Sequence, residues 1–358
     1  MTHDTDKRPV LITGGAGFIG CNIADRLAAE GHDVIVFDAL KRPGVETNLA
    51  WLEARHGSRI SRMVADVRDA PHLGEAVAQS KAIFHLAAQV AVTTSIVDPR
   101  EDLEINIGGT FNLLEAVRLR APATPVLFAS TNKVYGDLVD LAFEIYDEAY
   151  RPRDPRHRAN GIGEDRPLSF HTPYGCSKGA ADQYVLDYTR SYGLRAAVMR
   201  MSCIYGARQM GTEDQGWVAH FIISALLRRP IAIYGDGYQV RDILDVSDAV
   251  DAYLAAWRRI DDVRGRAFNL GGGPGNAISL RRLLSNVRDL IGRDLDISFA
   301  DWRAGDQRYF VADTRAARAA LDLGDPLDWR IGVKRLVRWL ADARGLTDVI
   351  STQAGAAA

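Results

Sequence analysis

The stretch LITGGAGFIG, Leu11–Gly20, joins an apolar run to an amphipathic one through Gly14, Gly17 and Gly20, three residues apart. PVLIT, which contains its start, reads as a strand buried on both faces. The residues from Gly17 to Glu30 read as a helix with one apolar stripe. Gly14 permits the tight turn, Gly17 lets a backbone approach a pyrophosphate, and Gly20 lets helix and strand pack closely. The helix start offers N–H groups and a positive dipole end to a phosphate. A glycine trio alone says little; between a strand and a helix it indicates a dinucleotide. The next strand, DVIVF, leads into Asp38, 18 residues past Gly20. An acid there binds the ribose hydroxyls and repels a 2′-phosphate, so NAD is expected rather than NADP. Phe18 and Ile19, in the first helical turn, join Gly14 and Gly17 as cofactor-lining candidates.

The same alternation continues outward. ISRMVA, AIFHLA, PVLFAS and LRAAVMR read as further strands, and Pro99–Arg120 and Pro173–Tyr192 as further helices. Near-continuous apolar strands alternating with helices imply a parallel sheet covered on both faces. The fold class is therefore α/β, a Rossmann-type doubly wound parallel sheet. Residues 1–202 and about 240–270 are assigned to it. A smaller, interleaved C-terminal substrate lobe is expected from 203–239 and 271–348, with 349–358 as a flexible tail. Ligands gather at the carboxyl ends of such strands. Asp66 and Val67 follow the third strand and Ala87, Ala88 and Gln89 the fourth, which makes them cofactor candidates. The Arg- and Pro-rich stretch 146–167 reads as a solvated loop or a lid.

Bulk properties remove other classes. The net charge is −2, so no basic surplus argues for nucleic acid. No apolar run approaches a membrane span, and the polar start MTHDTDKRP is not a secretory signal. Cys21, Cys176 and Cys203 are odd in number and far apart, which argues against a disulfide framework or a zinc site. The histidines show no metal-ligand spacing, and His85 reads as a satisfied core residue. A reducing cytoplasm is the expected location.

HTPYGCSKGAADQY carries the strongest chemical signal. Tyr174 and Lys178, four apart on a helix, share one face. A free tyrosine titrates near about 10 and is a poor base at neutral pH. A lysine cation beside it stabilises the phenolate. Tyr174 would then take a hydroxyl proton while the nicotinamide takes a hydride from the same carbon. Lys178 would also hold the nicotinamide ribose. Thr131, at the end of PVLFAST, would polarise the substrate oxygen from the other side.

Through TGGAGFIG, FHLAAQ, NIGGT, STNKVYG, YGCSKGAAD, YGARQ, VRDILDVSD and FNLGGG, residues 9–345 resemble the extended short-chain dehydrogenases, the nucleotide-sugar epimerases and dehydratases. Through QVAVTTSI, STNKVYGD, DQGWV, QVRD and DQRYFVAD, the finer likeness is to members that invert carbon 2 of a CDP-hexose of the paratose or tyvelose type. The 4,6-dehydratases of the family usually place Asp-Glu after the catalytic Ser/Thr. This chain has Asn132 and Lys133, which disfavours dehydration and leaves epimerisation through a 2-keto sugar. A 4-epimerase, or a reductase or dehydrogenase of another sugar, is the alternative. The resemblance implies a nucleotide-sugar substrate, Asn106 in a structural relay at the cofactor, and Arg241 and Arg308 on the substrate pyrophosphate. Asn132, Lys133, Cys203, Gln215 and Trp217 are the remaining substrate candidates, with Asp214 and Arg208 as weaker ones. Members commonly form homodimers through helices like those at 99–120 and 173–192.

Overall fold

The computed structural model describes residues 6–303 and 305–346, so the tail expected at 349–358 lies outside the described residues. The strands in chain order are β1 Val10–Thr13, β2 Val34–Asp38, β3 Ile60–Val64, β4 Ala82–His85, β5 Val126–Thr131, β6 Phe143–Tyr146, β7 Ala149–Pro152, β8 Ala196–Met201, β9 Cys203–Tyr205, β10 Ile231–Tyr234, β11 Val240–Asp245, β12 Ala267–Leu270, β13 Ala277–Ser279, β14 Ile297–Ala300 and β15 Tyr309–Phe310. The six runs read as strands form β1 to β5 and β8, and β12 adds a seventh. These seven make one sheet in the order β12-β8-β5-β4-β1-β2-β3. Every pairing in it is parallel.

Burial explains the apolar runs. The side chains of β1, β4 and β5 are buried throughout. The edge strand β3 instead exposes Ser61 and Arg62. One face of the sheet is covered by a cluster that includes Ile23, Leu27, Leu49, Val250 and Tyr253. The other packs Leu73, Leu113, Val117, Val185 and Tyr188. The strand order reverses between β1 and β4, which opens a crevice at their carboxyl ends.

Two expectations are corrected. Pro99–Arg120 is not one regular helix. An α-turn at Pro99–Leu103 passes into a π-helical turn, Glu104–Gly108, and then into a helix from Gly109 to Arg120. Such turns are rare and frequently mark functional sites. The stretch 146–167 is not an open loop. Its start closes the β6–β7 hairpin and its middle forms a helix, Pro155–Asn160. Phe143 and Tyr309 bring their rings to 5.9 Å, and buried Ile162 bridges to Ala312. These few apolar residues anchor a segment whose arginines and prolines hide them in the sequence.

Beyond the sheet, β11 is flanked by β9, β13 and β15, and β10 pairs with β14. A separate cluster packs Ile222, Leu226, Leu283, Val287, Val333 and Leu340 around them. No helix among the described residues is long and apolar enough to cross a membrane.

Candidate active site

The glycine turn works as a cradle. Gly14 has φ +69°, and a Cβ there would stand 2.7 Å from the Ala87 nitrogen. A Cβ on Gly20 would stand 2.2 Å from the Gly14 carbonyl oxygen. Gly17 is the N-cap of the helix Phe18–Ala29 and offers no side-chain cap, so the first-turn N–H groups stay open to an anion. Phe18 and Ile19 lean on the core from that first turn. The Asp38 carboxylate accepts from the Ala16 and Leu40 backbone at 3.0 and 2.9 Å. Burial pushes its pKa up, against those hydrogen bonds. An uncapped helix start, a turn that excludes Cβ atoms and an acid ending β2 together fit NAD.

The neighbouring candidates divide. Val67 is buried and packs where Gly109 leaves room for it. Ala87 donates its backbone N–H to the Thr13 hydroxyl at 3.3 Å, and Ala88 and Gln89 continue the same loop. Asp66 follows β3 and is partly exposed. Arg68 and Lys41 hold its carboxylate, at 2.8 and 3.2 Å, well below the usual range. Buried His85 links Thr13, at 2.6 Å, to Thr110, at 3.1 Å, and desolvation lowers its pKa to about 3.

The residues after β5 answer to different tasks. The Ser130 hydroxyl donates to Asp182 at 2.7 Å. Asp182 in turn takes both arms of Arg200 at 2.9 Å. That buried pair fixes the helix Thr172–Tyr192 against β5 and β8. Thr131 then faces Tyr174 across the gap. Burial pushes the Tyr174 phenol up to about 12, and the Thr131 hydroxyl, which reaches it, partly opposes this. Lys178 lies one turn along the same helix, with its ammonium 4.2 Å from the Phe128 ring centre. Burial pushes it down to about 7, and the carboxylates of Asp182 and Asp102 act the other way.

Asn106 ties this helix to the β4 loop. Its side chain accepts from the Gln89 N–H at 2.9 Å and donates to the Gln89 carbonyl at 3.1 Å. It also donates to Ser177 Oγ at 2.9 Å and to Asp102 Oδ1 at 3.2 Å. Asn106 makes all of these bonds from within the π-turn Glu104–Gly108.

A second cluster lies beside the triad. Asn132 is buried and accepts from the Thr131 hydroxyl at 3.3 Å. Lys133 Nζ donates to the Gly305 carbonyl at 2.9 Å. Burial and the Arg241 charge push Lys133 down to about 8, with Asp306 and Cys203 pulling it back. Arg241 donates to Asp306 and to the Gln307 carbonyl, both at 2.6 Å. Trp217 Nε1 reaches Cys203 Sγ at 3.3 Å.

Other sequence candidates do not join that cluster. Arg308 is exposed and lies against Tyr150 and Trp302, 5.6 and 6.0 Å from their ring centres. Gln215 accepts from Arg42, in the loop after β2. Arg208 stacks on Trp51, 3.7 Å from its ring centre. Three side chains were not singled out from the sequence. Arg303 stacks 3.7 Å from the Tyr234 ring centre and pairs with Glu213 and, at 3.7 Å, Asp214. Its sequence signal was its place in the same DWRAGDQR loop as Arg308. Ser177 and Asp102 carried no signal beyond their nearness to Lys178 and Asn106.

The sequence pattern of the NAD dependent epimerase/dehydratase family matches residues 10–271. Over 337 residues the chain is 41% identical to the CDP-paratose 2-epimerase of Salmonella typhi, covering 92% of this chain and 98% of that protein. It is 32% identical to a dTDP-glucose 4,6-dehydratase of Streptomyces griseus, covering 92% of this chain and 93% of that one. The Thermus thermophilus UDP-glucose 4-epimerase, solved as a complex with NAD, superposes with a TM-score of 0.78 at 29% identity, over 94% of this chain and 99% of that one.

Proposed function

The chain belongs to the NAD dependent epimerase/dehydratase family and is an NAD-dependent nucleotide-sugar epimerase, and on that premise we propose that it inverts carbon 2 of a CDP-hexose of the paratose or tyvelose type. The observation that carries the choice of reaction is Thr131, Tyr174 and Lys178 at one strand end, followed by Asn132 and Lys133 instead of two acids. An amide N–H is far too weak an acid to protonate a leaving hydroxyl. Lys133 is turned to the Gly305 carbonyl and is a poor base for a neighbouring carbon acid while charged. Removal of water therefore lacks its acid and base. Oxidation and re-reduction of one carbinol needs neither.

Bound NAD supplies a reversible acceptor for the hydride of that carbinol and, when oxidised, a positive charge beside the phenol. Tyr174 takes the 2-hydroxyl proton and later returns it. Thr131 donates to the substrate oxygen and holds it while charge develops. Lys178 holds the ribose and stabilises the phenolate. The 2-keto sugar turns before its other face is reduced, so no net redox change occurs. Arg241 is proposed for the substrate pyrophosphate, since a guanidinium fork suits phosphate oxygens. Its place beside Lys133 and Cys203 supports this, and Arg303 is added to it. Arg308 is assigned to the rim, with Gln215 and Trp217 bordering the nucleotide.

A homodimer in the cytoplasm completes the proposal. Leu103, Phe111, Tyr184 and Tyr192 leave apolar surface exposed on the helices at 99–120 and 173–192, which supports pairing there. The three free cysteines suit a reducing compartment. The test is turnover by purified protein with no added cofactor on CDP-paratose, CDP-glucose, UDP-glucose and GDP-mannose separately, followed by NMR. Inversion at carbon 2 of a CDP-sugar is expected. Inversion at carbon 4, or turnover only with added reduced cofactor, would replace the proposal with the 4-epimerase or reductase alternative.

A further inference from the structure

Asp102 sits in the turn before the π-helical segment and is fully buried. One carboxylate oxygen, Oδ1, accepts from Asn106 Nδ2 at 3.2 Å. The other, Oδ2, has no hydrogen-bond partner within 3.5 Å among the described residues, although the Ser177 hydroxyl, whose short bonds are to Asn106 and the Tyr174 carbonyl, is near enough to favour the ionised carboxylate. A buried, half-satisfied carboxylate is costly unless a positive charge faces it. The groups around it leave one cation for that task. The helix Thr172–Tyr192 presents Tyr174, Ser177 and Lys178. The helix Val92–Val97, VTTSIV, brings no ionisable side chain. Phe128 lies under the Lys178 ammonium, and His85, on the sheet side, is neutral. Asp182, one turn past Lys178, acts on that ammonium more strongly than Asp102 does but is held in the Arg200 pair, which leaves Asp102 as the carboxylate with no cation of its own in contact.

The connections run from Asp102 to the reacting groups without a gap. Asp102 Oδ1 accepts from Asn106, and Asn106 donates to Ser177 Oγ at 2.9 Å. Ser177 Oγ donates to the Tyr174 carbonyl at 3.2 Å. Lys178 follows Ser177 directly in the chain. We infer that Asp102 is a further positioning residue of this site, a buried counter-charge that keeps Lys178 protonated and in place beside Tyr174. The inference rests on the acid–base reading of Tyr174 and Lys178 given above. Its physical need is plain: Phe128 and the surrounding core strip water from the ammonium and favour its neutral form. A neutral Lys178 stabilises no phenolate. Asp102 restores part of what desolvation removes, without blocking the ribose side of the site. It acts on Tyr174 as well, where its charge opposes premature ionisation of the phenol.

The test reads Lys178 directly and needs no substrate. The chain has six lysines, so the ¹³Cε resonances of lysine-labelled protein are few enough to follow. The resonance lost in Lys178→Arg assigns the group. In Asp102→Asn the Lys178 midpoint should fall by about one pH unit while NAD retention and melting temperature hold. The limb of the kcat profile set by Lys178 should move with it, lowering turnover about fivefold at pH 7 and approaching the full tenfold of one pK unit about two pH units higher. An unmoved midpoint in a folded Asp102→Asn protein overturns the inference, whatever the turnover. A shifted midpoint in a protein that turns over no CDP-hexose supports Asp102 and counts only against the proposed reaction. Should Asp102→Asn not fold, the unaltered protein decides. Its Lys178 resonance should show a second, smaller inflection where Asp102 titrates, above the usual carboxylate range. A single inflection there is contrary.

Discussion

Tyr174 is the residue on which the chemistry turns, and its surroundings work against it. Burial raises it to about 12 and lowers Lys178 to about 7. At pH 7 a lone tyrosine of that kind is about five units from ionising, so the proton must leave in concert with the carbinol chemistry. Tyr174→Phe should lower kcat by a factor of about 10² to 10⁴ while purified protein still carries NAD, measured by turnover and by the absorbance of released cofactor. The same burial makes a stability prediction. In the folded chain Lys178 sheds its proton near 7, whereas in the unfolded chain it does so near 10.5. Between those values the unfolded state binds more protons, so stability rises with pH by up to about 1.4 kcal/mol per unit from this group. Melting curves from pH 7 to 9 should show that slope, and Lys178→Met should flatten it. His85 acts at the acid end. Its folded pKa, about 3, lies below the ordinary 6.5, so stability falls as pH drops through that window.

At the scale of elements, two turns set the site. In the first, the Gly14 carbonyl stands where a Cβ on Gly20 would go. Gly20→Ala must therefore push the helix Phe18–Ala29 off β1, and the expected result is loss of NAD by equilibrium dialysis with the parallel sheet otherwise folded by circular dichroism. In the second, Asn106 in the π-turn makes four hydrogen bonds to three segments, the Gln89 loop, the turn at Asp102 and the helix at Ser177. Asn106→Ala strands the Gln89 and Ser177 groups, at a cost of about 1–3 kcal/mol by denaturant titration. The first turn was legible in the sequence because its information is local: glycines at fixed spacing, then Asp38. The i, i+4 pair of Tyr174 and Lys178 was legible for the same reason. The π-turn was not, since NIGGT reads as ordinary helix until Gln89 and Ser177 arrive from elsewhere in the fold. The anchoring of 146–167 was hidden likewise, because Phe143 and Ile162 find their partners, Tyr309 and Ala312, about 150 residues later. Nor does composition say which partners each arginine of DWRAGDQR takes. Tyr234 and Glu213 draw Arg303, while Tyr150 and Trp302 keep Arg308 at the rim.

The whole molecule divides its labour along the sheet. The β1–β4 crevice is the proposed cofactor site, and β11 with residues 305–307 brings Arg241 and the cap over Lys133. Ser130, Asp182, Arg200, Tyr135 and Asn269 form a continuous buried chain of hydrogen bonds from the residue before Thr131 to β12. The exposed ring of Tyr184, 6.4 Å from that of Phe111, marks the proposed seam between two copies. Tyr184→Glu should convert a dimer to a monomer in sedimentation without changing the fold, and a parent protein that sediments as a monomer would remove that seam. The proposed reaction turns on one bond, the carbon–hydrogen bond at carbon 2 of the sugar. The measurement is turnover of CDP-paratose deuterated at carbon 2, in ordinary water and without added cofactor, read by NMR and mass. Product inverted at carbon 2 with its deuterium still there is the predicted result, because the hydride leaves and returns within one site. Loss of that deuterium to solvent, or inversion at another carbon with carbon 2 untouched, would contradict it.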